Sequence, residues 1–220
     1  MALPNTSKLI YGAIGTGVLG GAGLGTYYHL SSSEESSEKT VIINNVEKKL
    51  QEIGYLVLSS NSEDRLWDTV LEEYNKIQTQ EEIFADSTLT KETKNGLKEK
   101  CRLALEIDPS NETNYKLAKR WCVKIENIQE MLTRNKYTKL GESSEITNKP
   151  KWEEKVSKIK AIEQTQRNID VQFKNNNEDV GLLEAKCKSL NVDSIKTHSS
   201  ENFEQHYIQV RDWCATKNDS

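Results

Sequence analysis

The sequence predicts an all-α protein, with an N-terminal transmembrane helix followed by two tandem, duplicated helical-bundle units that share a long connecting helix. Three observations support this prediction. An uncharged, glycine-rich segment occupies residues 9–30, and the whole chain of 220 residues contains only three prolines. Because Pro and Gly disfavour helix interiors, their scarcity after this segment leaves long runs suited to helices. Finally, all four Trp and all four Cys fall into two matching sets.

Residues 1–30 are predicted to form a membrane anchor whose span lies at about 9–30. At about 1.5 Å rise per residue, a helix of this length crosses a hydrocarbon core of about 30 Å. Lys8 precedes the span and three Glu follow it, which favours an N-terminus inside and the bulk of the chain outside the cell. A cleaved signal peptide is the alternative, because Gly23 and Gly25 are small residues of the kind that precede a cleavage site.

Three glycines of the span repeat at intervals of four residues, at Gly17, Gly21 and Gly25. This spacing permits two helices to approach closely in lipid, so a homo-oligomer formed through the span is one interpretation. The alternative is that glycine is simply common in such helices. Residues 31–40, which include Ser-Ser-Ser-Glu-Glu-Ser-Ser, are predicted to be a polar linker.

The rest of the chain is predicted to be a duplication, with repeat units at 41–123 and 124–214 and a tail at 215–220. The first Trp precedes the first Cys by 34 residues in one unit and by 35 in the other, and a Tyr stands seven residues before each second Cys. The matching residues are Trp67, Cys101, Trp121 and Cys122 in the first unit, and Trp152, Cys187, Trp213 and Cys214 in the second.

Four helices are predicted in the first unit from apolar residues at helical spacing. The first runs from about Val46 until Gly54 stops it, the second carries Trp67, and the third carries Cys101. A turn is predicted at 108–111 from its Asp-Pro-Ser-Asn composition. Because residues 112–135 contain no Gly or Pro, the fourth helix is predicted to continue into the second unit as a rod of about 36 Å.

The second unit is predicted to repeat this scheme. Asn148 and Pro150 suit the start of the helix that carries Trp152, and a third helix carries Cys187. The last helix is predicted to begin after Ser199 or Ser200. The interval between the two Cys grows from 21 residues in the first unit to 27 in the second, which predicts a loop six residues longer. Residues 79–90 and 164–178 are compatible with helical extensions or with loops.

The sequence resembles a known family in three features: the Gly-rich span, the Leu-x4-Tyr-x2-Leu segment followed by a Trp, and the repeated Cys…Tyr-x5-Trp-Cys. These features resemble the large paralogous family of membrane-anchored proteins of haemotropic mycoplasmas. The resemblance covers nearly the whole chain. It implies a cell-surface protein of a wall-less blood parasite, with a role in antigenic display or host contact, and it implies no catalytic residue.

Four Cys allow three pairings, and hairpin geometry favours one of them. In an antiparallel helical hairpin, residues equidistant from the turn lie opposite each other. The midpoints between Cys101 and Cys122 and between Cys187 and Cys214 both fall at predicted turns, so each pair is predicted to close its own hairpin. The alternative is that the cysteines are buried free thiols.

A zinc site formed by Cys187, His198, His206 and Cys214 is a second alternative for the cysteines of the second unit. Its spacing matches no zinc-finger pattern, and the first unit contains no His, so neither a metal site nor a cofactor is predicted. The four tryptophans are predicted to anchor the core, and an exposed aromatic binding stripe is the alternative.

The sequence predicts a non-enzymatic protein, because it contains no phosphate loop, dinucleotide fingerprint, HExxH or GxSxG motif. Its formal net charge of −4 argues against a nucleic-acid partner. The prediction is therefore a single-pass protein of the cell membrane that displays its helical domain for binding, adhesion or antigenic display to an unknown host or surface protein. The alternative is a structural or assembly subunit that faces the cytoplasm with reduced cysteines.

Overall fold

The computed structural model describes residues 44–85, 91–190 and 192–218. The predicted membrane span, its residues Gly17, Gly21 and Gly25, and the predicted linker lie outside this part of the chain. Among the described residues, no helix is both long and apolar enough to cross a membrane. These residues are mostly helical, as the sequence predicts.

The described residues form eight α-helices and a two-stranded antiparallel ribbon, together with two 3₁₀ turns and one π-helical turn. We refer to residues 44–123 as the first half and to residues 124–218 as the second half. In the first half the helices are α1 (Val46–Ile53), α2 (Asp64–Tyr74), α3 (Lys94–Glu106) and α4 (Glu112–Trp121), with a 3₁₀ turn at Gln80–Glu82. In the second half the elements are α5 (Ile128–Arg134), β1 (Tyr137–Lys139), α6 (Lys149–Ala161), the 3₁₀ turn Gln164–Gln166, α7 (Asp179–Ser189), α8 (Phe203–Gln209), the π turn Val210–Cys214 and β2 (Ala215–Lys217).

Side-chain caps define the starts of several helices. The side chains of Asn45, Thr93 and Asn111 accept hydrogen bonds from backbone N–H groups in the first turns of α1, α3 and α4. Such caps satisfy N–H groups that have no partner within the helix. At the other end of α1, Gly54 adopts a φ of +117°, the left-handed conformation that glycine accepts most readily. The sequence therefore sets the length of α1 locally.

The predicted long connecting helix is wrong. Helix α4 ends at Trp121 and α5 begins only at Ile128. The residues between them are extended beside residues 56–58: the N–H of Leu58 donates to the carbonyl of Cys122 at 2.9 Å, and the N–H of Lys124 donates to the carbonyl of Leu56 at 2.9 Å. Pairing with an extended segment thus replaces helical hydrogen bonds here, and the disulfide-bonded Cys122 lies at the point where the helix ends.

A capping box starts the next helix. The Asn127 side chain accepts from the N–H of Glu130, and the Glu130 side chain accepts from the N–H of Asn127. This reciprocal pair satisfies two N–H groups at the start of α5. The connection between the halves is therefore an extended segment with its own helix start.

Strand β1 pairs with β2 in an antiparallel ribbon, with Tyr137 opposite Lys217 and Lys139 opposite Ala215. Residues 215–217, which the sequence assigned to a tail, form β2. Leu140 donates to the carbonyl of Cys214 at 2.8 Å, which is the counterpart of the bond between Leu58 and Cys122 in the first half. In the two segments that the sequence left open, the described residues contain the 3₁₀ turns rather than extensions of α2 and α6.

One hydrophobic core runs through both halves. It contains the apolar positions of α1 to α4 and those of α5 to α8, so the two predicted bundles share their interior. The largest side chains that are almost fully buried include Trp67 and Trp121 from the first half and Trp152, Phe203 and Tyr207 from the second. Burial of apolar surface contributes roughly 25 cal/mol per Å². Burial of this shared interior is therefore the main contribution to the free energy that holds the halves together.

Candidate functional site

The four cysteines form two disulfides, each within its own half. Cys101 on α3 bonds to Cys122 at the end of α4, with Cα atoms 5.3 Å apart, and Cys187 on α7 bonds to Cys214, with Cα atoms 5.7 Å apart. These are the pairs that the hairpin geometry predicts. Each of these four side chains is at most 2% exposed. Since both are in a disulfide, Cys187 and Cys214 offer neither zinc ligands nor a nucleophilic thiolate.

The four tryptophans lie in the core and each binds a loop through its indole N–H. Trp67 donates to the carbonyl of Ser59 at 3.0 Å, and Trp152 donates to the carbonyl of Gly141 at 2.9 Å. Trp121 donates to the carbonyl of Glu82 at 2.7 Å, and Trp213 donates to the side chain of Asn168. No tryptophan is more than 8% exposed, so these residues do not form an exposed binding stripe.

A polar contact that we call the clamp joins the C-terminus of α1 to the second half. The carbonyl of Gly54 accepts from Arg134 Nη2 at 2.9 Å and from Asn135 Nδ2 at 2.8 Å. Asn135 Nδ2 also donates to the hydroxyl of Tyr207 at 2.9 Å, and Arg211 donates to the carbonyl of Ile53 at 3.3 Å. Carbonyls at a helix C-terminus have no partner within the helix and carry partial negative charge, which cations stabilise.

Glu126, in the extended connection between the halves, is a buried acid with only 1% of its surface exposed. Arg134 donates hydrogen bonds to both of its carboxylate oxygens, and Lys124 Nζ lies 3.1 Å from one of them, Oε2. A buried carboxylate needs such partners because the loss of hydration is costly. Arg134 therefore connects this acid to the clamp, which fixes the connection relative to α1.

A second polar contact between the halves surrounds Tyr115 on α4. Its hydroxyl donates to Glu204 Oε2 on α8 at 2.9 Å, and Lys119 Nζ lies 3.4 Å from the same oxygen. Lys49 Nζ lies 4.2 Å from the centre of the Tyr115 ring, a distance at which a cation attracts an aromatic face. Burial and the nearby Glu204 carboxylate raise the pKa of Tyr115, so its hydroxyl stays protonated and keeps donating.

The longer loop of the second half forms what we call the strap, residues 192–200. Thr197 donates its N–H to the carbonyl of Glu126 at 3.1 Å and its hydroxyl to the carbonyl of Lys124 at 3.2 Å. Next to it, the His198 ring lies 6.2 Å from the Trp121 ring, centre to centre, and its Nε2 atom lies 3.6 Å from Glu73 Oε2. The strap therefore covers the connection and contacts α2 and α4 of the first half.

A groove of about 320 Å³ lies beside the second disulfide, with Leu140, Trp152 and Cys187 in its lining. At its rim, Lys188 Nζ lies 3.1 Å from a carboxylate oxygen of Glu142 and 2.9 Å from one of Glu184. These charges neutralise one another, so the rim does not favour a ligand of either sign.

No group of three or more His, Cys, Asp or Glu within residues 44–85, 91–190 and 192–218 is arranged to hold a metal ion. Of the two histidines considered as ligands, His198 lies in the strap and His206 lies on α8. The side chains described above bind backbone carbonyls, carboxylates and aromatic rings of the chain itself. They make structural contacts, some within one half and others between the halves.

Comparison with known proteins found no matching protein-family model, curated protein or solved structure.

The contacts between the halves are the part of the site that sequence reasoning missed. The clamp brings together residues that are distant in sequence: Asn135 is 81 residues from Gly54 and 72 residues from Tyr207. Two signals pointed toward this region. Gly54 stops α1, and the second hairpin has six additional residues, but neither signal shows which surface those features contact.

Proposed function

We propose that the protein is a non-enzymatic, single-pass membrane protein of the cell surface. Residues 9–30 hold a duplicated helical ectodomain at the bilayer, where it serves binding, adhesion or antigenic display. The observation that carries this proposal is the pair of disulfides, Cys101–Cys122 and Cys187–Cys214. Disulfides persist in oxidising surroundings and are rare in the cytosol, so two of them in one domain favour a location outside the cell.

The duplication is supported by equivalent bonds in the two halves. Each half closes its last helical segment onto its third helix with a disulfide, and the residues Leu58 and Leu140 bond to the carbonyls of the corresponding Cys122 and Cys214. A repeated framework with a rigid, cross-linked interior suits a displayed domain, because loops vary more readily than the scaffold that carries them. This reading agrees with the resemblance to the surface-protein family of haemotropic mycoplasmas, to which we propose that the chain belongs.

The proposed partners follow from the same reading. The lipid bilayer contacts residues 9–30, and a host protein or another surface protein contacts the helical domain. Close packing at Gly17, Gly21 and Gly25 brings two copies of the span together. The proposal includes no cofactor, metal or nucleic acid.

Topology and disulfide state are tested with a cysteine placed in an exposed loop. The Ile146 side chain is 91% exposed, so an Ile146→Cys variant presents a thiol that a membrane-impermeant maleimide reaches without unfolding the domain. Intact cells that express this variant are expected to be labelled at once. The unmodified chain is the matched control: because its cysteines are buried, intact cells are expected to stay unlabelled, and in denaturant its cysteines are expected to be labelled only after reduction.

The opposite result identifies the alternative function. Labelling of the Ile146→Cys variant only after lysis, with native cysteines that react in denaturant without reductant, would place the domain in the cytoplasm as an assembly subunit. Because the exposed thiol reports topology separately from the native pairs, a failure of the disulfides is distinguished from a failure of the orientation.

A further inference from the structure

The strap contains a partly buried titratable group that the proposed function does not use. The His198 side chain is 14% exposed, and its Nδ1 atom is buried without a hydrogen-bond partner. Its other nitrogen, Nε2, lies 3.6 Å from Glu73 Oε2, which is beyond normal hydrogen-bond distance. A neutral imidazole has one N–H group, whereas an imidazolium has two that both require a hydrogen-bond partner or water. The neutral form is therefore better tolerated at this position.

The charges around His198 are predominantly positive. Arg120 of α4, Lys196 of the strap and Lys76 just after α2 face it, against the single carboxylate of Glu73 on α2. That carboxylate is already paired, since Lys76 Nζ lies 2.9 Å from its other oxygen. Arg120 is itself paired with Glu82, at 2.8 Å. A proton on His198 therefore adds a positive charge beside Glu73, whose carboxylate is already paired with Lys76.

Burial lowers the pKa of His198, and the Arg120, Lys196 and Lys76 cations act in the same direction, while Glu73 opposes them. In solvent the imidazole has a pKa of about 6.5. A released strap therefore takes up a proton more readily than a docked one. By linkage, docking is fully favoured above this solvent pKa and is weakened as the pH falls below it.

We propose that the strap is an acid-released latch between the two halves, in which His198 is the pH-sensing group. At neutral pH the uncharged ring packs against Trp121, and Thr197 holds the strap to the connection through Glu126 and Lys124. On acidification His198 becomes charged and leaves this environment for water. The two disulfides and the shared core hold both halves folded, so only the strap and the surface beneath it change.

The latch is tested by amide hydrogen exchange of the full chain at about pH 7.5 and about pH 5.5, where histidine is the group that titrates. The readout is the N–H of Thr197, corrected for the intrinsic pH dependence of exchange. We expect its protection to fall at least about twofold at the lower pH, while far-UV circular dichroism stays constant. The imidazole signals of His198 are expected to titrate over the same range.

Two single substitutions provide the matched comparison. His198→Gln removes the titrating group and is expected to abolish the pH dependence at Thr197. His206→Gln removes the histidine of α8, whose pKa is lowered by burial and by Lys186, and is expected to leave the pH dependence unchanged. Equal protection of Thr197 in the wild type at both pH values would overturn the proposal. So would the same pH dependence in the wild type and in His198→Gln. If His198→Gln does not fold, the wild type alone decides: the loss of Thr197 protection must follow the titration of the His198 imidazole signals, and a mismatch between the two would overturn the proposal.

Discussion

The first half and the second half use the same bonds at the same steps of the chain, but they end their hairpins differently. In both halves a disulfide closes the last two helical segments, and a Trp of the second helix donates to the loop before it. The turn of the first hairpin is short, since α3 ends at Glu106 and α4 begins at Glu112. In the second hairpin α7 ends at Ser189 and α8 begins at Phe203, and this longer loop contains the strap.

A second difference lies at the end of the opening helix. Gly54 after α1 and Lys136 after α5 occupy equivalent positions, each directly before a Tyr, and both have a positive φ, of +117° and +62°. The glycine lies against the clamp, whereas the lysine is followed by the ribbon of β1 and β2. The helical framework is therefore common to both halves, whereas the strap and the contact at the Gly54 carbonyl each occur once.

Removal of a disulfide tests the shared part of the framework and is expected to have the largest effect. Replacing both cysteines of either pair with Ala is expected to lower the free energy of unfolding by about 3 kcal/mol, since the two bridges close loops of similar length. Chemical denaturation of the full chain measures this. Unequal losses in the two variants, differing by more than about 1 kcal/mol, would contradict an equivalent role in the two halves.

The double substitution of Cys187 and Cys214 should differ from the other in one local respect. The backbone of Cys214 accepts a hydrogen bond from Leu140 beside the ribbon. Loss of the Cys187–Cys214 disulfide is therefore expected to loosen this end of the ribbon and to expose the amides of β1 and β2 to hydrogen exchange. The corresponding double substitution of Cys101 and Cys122 should leave that ribbon protected.

Substitution at the two positive-φ positions tests the difference between the halves. A Cβ atom on Gly54 would lie 2.6 Å from Asn135 Nδ2 and 2.9 Å from the Tyr207 hydroxyl, both too close. Gly54→Ala is therefore expected to lower the free energy of unfolding by about 2 kcal/mol through the clamp and through backbone strain. Lys136→Ala, which keeps a Cβ atom at a similar φ, is the matched control and should change it by less than about 0.5 kcal/mol. Equal losses of stability in Gly54→Ala and Lys136→Ala would contradict the conclusion that only Gly54 is part of the clamp.

Substitution of the equivalent residues Tyr115 and Tyr207 tests the polar contacts between the halves. Tyr115→Phe removes a hydrogen bond to the carboxylate of Glu204 and is expected to cost about 1.5 kcal/mol, because bonds to charged groups are the stronger ones. Tyr207→Phe removes a bond from Asn135, which still donates to the carbonyl of Gly54, so its expected cost is about 0.5 to 1 kcal/mol. Thermal unfolding of both variants shows which one loses more stability. A larger loss in Tyr207→Phe than in Tyr115→Phe would contradict this expectation.

The smallest expected effect is a gain in stability. Lys136 has a φ of +62°, a conformation that is unfavourable for residues with a side chain. Lys136→Gly is therefore expected to raise the free energy of unfolding by about 0.5 kcal/mol, after the greater freedom of glycine in the unfolded chain is included. Since the side chain is not part of the clamp, a loss of stability would show that Lys136 has a role that its backbone does not explain.

The sequence predicted those features that depend on local pattern or on internal repetition. The helices that carry Trp67, Cys101, Trp152 and Cys187 lie where apolar spacing places them, and the symmetry of the cysteines about the turns predicted which Cys would be paired. Symmetry succeeds here because a helical hairpin brings together residues at equal distances from its turn.

The connection between the halves shows why the remainder was not predicted. Residues 122–127 contain no helix breaker, yet they leave the helix to pair with residues 56–58, far away in sequence. The signals for this were weak: the β-branched Val123 and Ile125, and the Asn127…Glu130 spacing of a capping box. Helix propensity is local, whereas the bonds that override it here, like those of the clamp and the strap, join distant residues.

The proposed cell-surface location depends on the presence of both disulfides in the protein that the cell makes. Their presence is tested most directly by lysing cells in a denaturant that contains a thiol-alkylating reagent and measuring the intact mass of the full chain before and after reduction in the same denaturant. We expect no alkyl group on the chain before reduction and four after reduction, one for each Cys. Four alkyl groups without any reduction would show free thiols in both halves and would contradict this expectation.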